Sequence, residues 1–176
     1  MKESWADKLG FTPSAPETTY VEPTQEASFN SSEVEKLSKE SLDFLAALAM
    51  PTVFRYLFPP LFKAAWEWLI SYIHKERDFS QLVLGLPRGF AKTLVVKLLI
   101  LYSILYTPKR FILVLCENEE KGKSILADVE DMLSEPNIKA VYGDWTAAQE
   151  SNTLIRKKFA FRGKDIILRC AGAGTG

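Results

Sequence analysis

Hydrophobic residues along this chain fall into short runs of strand length and into stripes at helical spacing. The apolar runs 81–84 and 111–116 predict strands, and the longer apolar run 94–106 predicts a buried helix between them. A helix that joins two such strands predicts a βαβ unit, whose strands lie parallel in one sheet. The pattern therefore predicts an α/β fold with a parallel sheet flanked by helices.

Three more helices are predicted around this unit. One covers a face of the sheet and has apolar residues at helical spacing, at Ile125, Leu126, Val129, Met132 and Leu133. Another begins at Glu33 behind a cap from Ser31 or Ser32 and ends near Met50, before a proline. The third follows two adjacent prolines, with a core-facing stripe at Leu61, Ala65, Trp68, Leu69 and Tyr72.

The last part of the chain alternates cations with aromatic residues and then becomes apolar. Residues 156–164 and the strand-like run 166–168 predict a hairpin with a basic outer face, and a contact with a phosphate backbone is the alternative. The glycine-rich stretch 171–176 follows directly. A doubly wound sheet needs further strands. We therefore expect the domain to be truncated here, with this chain as its N-terminal fragment.

The N-terminal residues lack helical and strand periodicity, so the chain divides into three regions. Residues 1–33 are predicted to be a flexible arm, 34–80 a helical segment rich in aromatic residues, and 81–176 the N-terminal half of an ATPase domain. The aromatic residues of the arm include Trp5, Phe11 and Tyr20. They belong to a loosely attached tail or dock on a partner or on the domain itself, and these interpretations remain open.

The composition indicates where the protein is located more clearly than what reaction it performs. The 176 residues include 22 basic and 22 acidic side chains, so net charge gives no support for a generally basic nucleic-acid surface. The two cysteines lie in or beside apolar stretches, which favours reduced thiols in the cytoplasm. No apolar run is long enough to cross a bilayer, and no membrane partner is expected. His74, the only histidine, is predicted to lie on the surface.

The segment between the first predicted strand and the buried helix carries the clearest chemistry. It reads Leu84, Gly85, Leu86, Pro87, Arg88, Gly89, Phe90, Ala91, Lys92, Thr93. A nucleoside triphosphate needs backbone N–H groups around its phosphates, a lysine for the terminal charge and a hydroxyl for magnesium. Lys92 and Thr93 fall in the first turn of the predicted helix, where free N–H groups favour anions. The segment therefore predicts the phosphate loop of a P-loop ATPase.

Two features of this loop depart from the common pattern. Glycine is usual at positions 86 and 91, where this chain has Leu86 and Ala91. An alanine is tolerated there if the backbone avoids positive φ. Arg88 is an additional cation, able to pair with the γ-phosphate or to act on the charge that develops during hydrolysis. The alternative interpretation is a plain turn between strand and helix, in which Lys92 is a solvated first-turn residue.

These segments, taken in order, resemble the large terminase subunit of tailed bacteriophages, the ATPase motor that packs DNA into the prohead. The strongest match is the loop 87–93, similar to that family's arginine-bearing phosphate loop with alanine before the lysine. The weaker matches are the aromatic segment around Pro59 and the glycine-rich turn 171–176. The resemblance covers about residues 50–176.

The resemblance implies a translocating ATPase followed by a metal-dependent nuclease that cuts concatemeric DNA. It implies ATP binding by residues Pro87, Arg88, Gly89, Phe90, Ala91, Lys92 and Thr93, with Arg88 and Lys92 catalytic and Thr93 on the magnesium that accompanies ATP. It also implies an adenine side at Phe58, Pro59, Pro60 and Trp66. The family's acidic, coupling and nuclease motifs are expected beyond Gly176, so this fragment alone is expected to be inactive.

Partners and location also follow from the resemblance alone. It implies double-stranded DNA, a portal protein and the small terminase subunit as partners, a homo-oligomeric ring in the assembled motor, and the host cytoplasm with transient binding at the prohead portal. Two rival functions remain open. One is another P-loop DNA motor, such as a helicase or a transposition ATPase, and the other is a non-enzymatic α/β interaction domain.

Overall fold

The computed structural model describes residues 30–54, 57–74, 83, 85, 87–89 and 91–174, and they form an α/β fold. The helices are α1 (Ser31–Glu40), α2 (Leu42–Ala49), α3 (Pro60–Ile73), α4 (Lys92–Tyr106), α5 (Glu119–Ser134) and α6 (Pro136–Tyr142), with a 3₁₀ turn at Trp145–Ala148. The strands are β1 (Phe111–Cys116), β2 (Gln149–Asn152), β3 (Arg156–Phe161) and β4 (Lys164–Gly172). The proposed arm, apart from its last residues, lies outside the described residues.

The sheet has the order β1-β4-β3-β2 and is mixed. Among the described strands, β1 and β4 are the one parallel pair. The tight turn at Arg162 and Gly163 makes β4 antiparallel to β3, and β2 is antiparallel to β3 as well. The expected α/β class with helices around the sheet is confirmed, but the described sheet is mixed and not a parallel sheet. Within the described residues β1 forms an edge of the sheet. The parallel pairing predicted between the runs 81–84 and 111–116 stays a prediction, because the first run lies outside the described residues except for Val83, which is exposed.

Helix α5 covers one face of the sheet and confirms the helix predicted there. Its buried side chains include the five predicted apolar positions, Ile125, Leu126, Val129, Met132 and Leu133. The sheet supplies the other half of this core with the alternate residues Val114, Phe159, Phe161, Ile166, Leu168 and Cys170. The predicted hairpin is also confirmed, and the strand after the turn extends to Gly172. No described helix is long and apolar enough to cross a membrane.

The first helical region differs from its prediction in where helices begin. The single helix expected from Glu33 to Met50 is broken at Ser41, whose backbone is extended with φ −118° and ψ 121°. The Ser41 hydroxyl accepts a hydrogen bond from the Phe44 N–H at 3.3 Å and so caps α2. The cap expected from Ser31 or Ser32 is wrong, because Asn30 occupies the N-cap position and α1 has no side-chain cap.

Helix α3 begins after Pro59 as predicted, but it is rotated relative to the predicted stripe. Its buried residues are Phe62, Trp66, Leu69 and Ile73, so only Leu69 belongs to both sets. The reason lies in its packing against α4, where the Trp66 ring meets the edge of Tyr102 at a centroid distance of 5.6 Å. Helix spacing predicts that a stripe exists, whereas the neighbouring helix decides which stripe is buried.

The carboxyl end of α4 is fixed by the turn between β3 and β4. The Lys164 ammonium donates hydrogen bonds to the carbonyls of Ile104 at 2.6 Å and Thr107 at 2.8 Å. The Arg162 guanidinium donates to the Leu105 carbonyl at 3.3 Å and pairs with Glu35 of α1 at 2.6 Å. Two cations therefore satisfy terminal carbonyls of α4, where the helix dipole also favours positive charge.

Three hydroxyl groups join α1, α4 and α6 beside this anchor. Ser38 is fully buried, and its oxygen lies 2.6 Å from the Tyr106 hydroxyl and 2.5 Å from that of Tyr142. The two tyrosine hydroxyls also contact each other. Burial raises the pKa of Tyr106, the hydrogen bond with Ser38 lowers it, and the hydrogen bond with Tyr142 raises it again. The net pKa is raised, so the fold favours the neutral phenol.

Candidate functional site

The predicted phosphate loop leads directly into α4. Lys92 is the first residue of that helix and Thr93 the second, so the prediction that both lie in its first turn is confirmed. The loop residues Pro87, Arg88 and Gly89 are exposed and form a turn, and Phe90 lies outside the described residues. Gly89 has a φ of +84°, a conformation that glycine adopts without the steric cost of a side chain. The loop thus uses its glycine where the backbone requires one.

Ala91 has a left-handed backbone conformation, with the positive φ that is unfavourable for alanine. Its φ is +36° and its ψ is 28°, and it occupies the N-cap position of α4. An L-residue pays about 1–2 kcal/mol for this region because Cβ approaches the following carbonyl. The condition stated for tolerating alanine here, a backbone that avoids positive φ, is therefore not met. Ala91 stores backbone strain at the entrance to the helix, a property common at ligand-binding turns.

The side chain of Lys92 folds back across the loop. Its ammonium donates a hydrogen bond of 2.6 Å to the Pro87 carbonyl, five residues earlier. The N-cap residue Ala91 offers no side-chain hydrogen bond to α4, and the first N–H groups of any helix lie beyond the reach of its own carbonyls. The ammonium and these N–H groups provide donors on one short stretch of chain. Such a set of donors suits a phosphate group.

The two other predicted site residues are available to solvent. Arg88 lies in the exposed turn and makes no ion pair with the described carboxylates. Thr93 is also exposed, one residue after the lysine. Among the described residues, no group of three or more His, Cys, Asp and Glu side chains could hold a metal ion. A magnesium ion here would therefore need phosphate oxygens among its ligands, with Thr93 as one protein ligand.

The carboxyl ends of β1 and β4 lie at the edge where open α/β sheets place their ligands. Gly172 ends β4 so close to α5 that an added Cβ would lie 2.7 Å from the Glu119 backbone nitrogen. The Ala173 N–H donates to the Cys116 carbonyl at 2.8 Å and extends the pairing by one residue. Asn118 caps α5 by accepting from the Lys121 N–H at 2.9 Å. This edge is thus built around the start of α5.

The residues of the predicted adenine side lie in and around the core of α3. Phe58 is buried and tilts against Phe62 at 5.5 Å between ring centroids. Pro59 and Pro60 are exposed at the start of the helix. Trp66 is 2% exposed and contacts Tyr102, which lies ten residues, or about 15 Å, along α4 from Lys92. An adenine role for this segment stays a prediction.

The sequence interpretation missed contacts of two polar residues. His74 is half-buried rather than on the surface, and its Nε2 lies 3.1 Å from the Tyr102 hydroxyl. Lys157 is 5% exposed and contacts Glu130 of α5 and Asn152 of β2. The alternation of the strand 156–161 places Lys157 on the same face as Phe159 and Phe161, and this signal could have found it.

The two cysteines are free thiols on the α5 side of the sheet. Cys170 is buried and Cys116 partly buried, which agrees with the prediction of core thiols. Burial raises the pKa of Cys170, and the neighbouring Cys116 raises it further. A thiol held protonated in this way is a poor nucleophile. Their placement therefore fits a packing role.

Comparison with known proteins yields no relative. No protein-family model, curated protein or solved structure matches this chain. The features of the chain that indicate a function are therefore the loop between Pro87 and Thr93 and the helix that follows it.

Proposed function

We propose that this chain is the ATP-binding part of a viral DNA-packaging motor of the large-terminase type. The observation that carries the proposal is the loop at the start of α4, which combines left-handed backbone at Gly89 and Ala91 with a lysine folded over the loop. Backbone of this kind turns N–H groups towards a bound anion. The resemblance of residues 87–93 to the terminase phosphate loop supplies the choice of motor.

Each loop residue has a separate task in this proposal. Lys92 exchanges its hydrogen bond with Pro87 for the β- and γ-phosphate oxygens of ATP, and the N–H groups in the first turn of α4 bind the same phosphates. Arg88, which has no carboxylate partner among the described residues, is free to reach the γ-phosphate. Thr93 holds magnesium through its hydroxyl. The bound magnesium supplies neutralisation of phosphate charge during hydrolysis.

The complete motor would convert hydrolysis into translocation of double-stranded DNA into the prohead. Its further partners by resemblance are the portal protein, the small terminase subunit and identical copies in a ring, in the host cytoplasm and at the prohead portal. Cleavage of DNA would belong to a nuclease domain of the complete protein. A different P-loop DNA motor, such as a helicase or a transposition ATPase, would use the same loop in the same way.

The proposal is tested by binding of a slowly hydrolysed ATP analogue with magnesium, measured by calorimetry. We expect the parent chain to bind and Lys92→Ala to lose binding, because the substitution removes the ammonium and no core volume. Lys109→Ala is the matched control, since Lys109 is an exposed lysine in the turn after the same helix. Binding that survives in Lys92→Ala, or no binding by a chain with cooperative unfolding, contradicts the proposal and favours the interaction domain.

A further inference from the structure

One face of the sheet is left uncovered by the described helices. This face, which we call the outer face, carries Phe111, Leu113 and Leu115 of β1, which are 56%, 46% and 69% exposed. In the register of the sheet, Phe111 lies beside Ile167, and Leu113 lies beside Arg169. A contiguous row of large exposed apolar side chains is uncommon on a soluble domain and marks a surface that binds another segment or molecule. The outer face is therefore a docking surface.

Two like charges lie opposite each other on the outer face, which also carries the exposed Asp165 of β4. Arg156 of β3 lies directly opposite Arg169 of β4, and both side chains are exposed. Neither guanidinium makes an ion pair with any described carboxylate, whereas Lys158 on the same face pairs with Glu150. Like charges directly opposite each other destabilise a sheet. An occupant that brings carboxylates to this arginine row would relieve that repulsion.

We propose that residues 1–29 of the same chain cover the outer face, with their aromatic side chains on the apolar stripe of β1 and their carboxylates at the arginine row. The segment carries five acidic and two basic side chains. It also carries Trp5, Phe11 and Tyr20, which are large enough to cover the three exposed residues of β1. Its charge and its apolar content both complement the outer face.

The segment starts from the correct place to reach this face. Helix α1 follows it directly, and Glu35 of α1 is joined at 2.6 Å to Arg162 in the turn between β3 and β4. Arg156 lies at the other end of β3, about 20 Å from that turn at the usual rise of a strand. Twenty-nine residues span up to about 95 Å when extended. The tether also gives the segment a high effective concentration at the face.

A second copy of the chain is a poorer occupant for an electrostatic reason. A twofold interface applies the same surface patch to itself. Two outer faces in contact would bring the Arg156 and Arg169 row of one copy near that of the other, and the repulsion between two opposed guanidinium groups would be doubled rather than relieved.

Photo-cross-linking identifies the occupant directly. A benzoylphenylalanine at position 113, in the full chain, should form an intramolecular cross-link to a peptide within residues 1–29 while the chain still migrates as a monomer. The same label at Leu154, an exposed residue between β2 and β3, is the matched control and should give no such product. A cross-link between two chains, a cross-link to another segment, or no product above the Leu154 level overturns the proposal.

Charge reversal provides a second test that does not depend on the label. The double variant Arg156→Glu and Arg169→Glu should raise the rate of trypsin cleavage after Lys8 roughly tenfold, since this rate follows the population of the undocked segment. The double variant Lys109→Glu and Lys121→Glu changes net charge equally at exposed positions away from the face and should leave the rate unchanged. Equal rates in the parent chain and both variants contradict the docking.

Discussion

The ammonium of Lys92 and the carbonyl of Pro87 are joined by a 2.6 Å hydrogen bond that closes the loop before α4 across five residues. The bond holds the lysine over the loop, while the neighbouring Arg88 extends into solvent. The two cations of the site are thus placed differently, one fixed by the loop itself and one free to respond to a ligand. Replacing Lys92 and replacing Arg88 are therefore expected to have different effects.

Replacing Arg88 should affect the chemical step more than binding. If the guanidinium acts mainly on charge that develops at the γ-phosphate, Arg88→Ala in the complete protein should lower kcat by a factor of about 10³ and change KM little. Steady-state ATPase assays measure both constants. Arg110→Ala, which removes an exposed arginine before β1, should change neither. Equal losses in binding and kcat would make Arg88 a simple binding residue.

The strain at Ala91 predicts an unusual response to glycine. Glycine normally costs about 1 kcal/mol when it replaces alanine inside a helix. Ala91 occupies the N-cap position, where glycine is preferred to alanine, and glycine also relieves the left-handed conformation with φ +36°. Ala91→Gly should therefore unfold in urea at the same or a higher midpoint than the parent chain.

The matched control for Ala91→Gly is Ala127→Gly, at an exposed position inside α5. This variant should lose about 1 kcal/mol, because its backbone is helical and gains nothing from glycine. Similar losses in the two variants would show that Ala91 is not strained.

The buried phenol of Tyr106 predicts a loss of stability at alkaline pH. Its pKa is raised in the folded chain, so above the ordinary tyrosine value near 10 the unfolded chain loses a proton that the folded chain keeps. Stability then falls with rising pH, by at most about 1.4 kcal/mol per pH unit for this one group. Urea unfolding of the parent and of Tyr106→Phe between pH 9 and pH 11.5 should show the steeper loss in the parent.

Lys164 makes stability change with pH in the opposite direction, and it does so at lower pH than Tyr106. Burial lowers the pKa of Lys164, with Arg162 adding to the effect, so the folded chain releases its proton first and stability rises as pH approaches 10.5. Above that value both states have lost the proton and Lys164 adds no slope. A parent-minus-Tyr106→Phe difference that stays constant above pH 10.5 would contradict the role assigned to Tyr106.

The end of β4 predicts a sharp contrast between two glycines. Gly172→Ala should destabilise by about 1–3 kcal/mol, because its Cβ would lie 2.7 Å from the backbone nitrogen of Glu119, which cannot move aside as a side chain can. Gly174→Ala should cost much less, since its nearest neighbour, the Glu117 carbonyl, is 3.5 Å away. Thermal unfolding of both variants measures the difference, and equal stability would contradict the close approach.

The sequence predicted correctly those elements whose apolar residues lie on one face, because that face is the buried one. The five apolar positions of α5 are all buried, β1 coincides with the apolar run 111–116, and the hairpin lies where it was predicted. It failed where a polar segment gains its structure from a neighbour. β2 has the sequence Gln149–Asn152, without an apolar pattern, and exists because β3 pairs with it. Tertiary context supplies such a strand, and propensity does not.

The candidate site shows the same division between local and tertiary causes. Lys92 and Thr93 at the start of a helix were predictable from the apolar run that follows them. The left-handed Ala91 was not, because a sequence pattern cannot show which non-glycine residues the fold holds under strain. The break at Ser41 was missed for a related reason, since serine is compatible with both a helix interior and a cap.

The capping of α4 by Lys164 and Arg162 leaves that helix with unequal ends. Its last turn is held by two cations and by the hydroxyl cluster around Tyr106, whereas its first turn depends on one lysine and a strained alanine. Local opening begins where the fewest interactions must break. Amide hydrogens of α4 should therefore exchange fastest beside the loop 87–91 and progressively more slowly towards Tyr106, so that the helix opens from its N-terminal end.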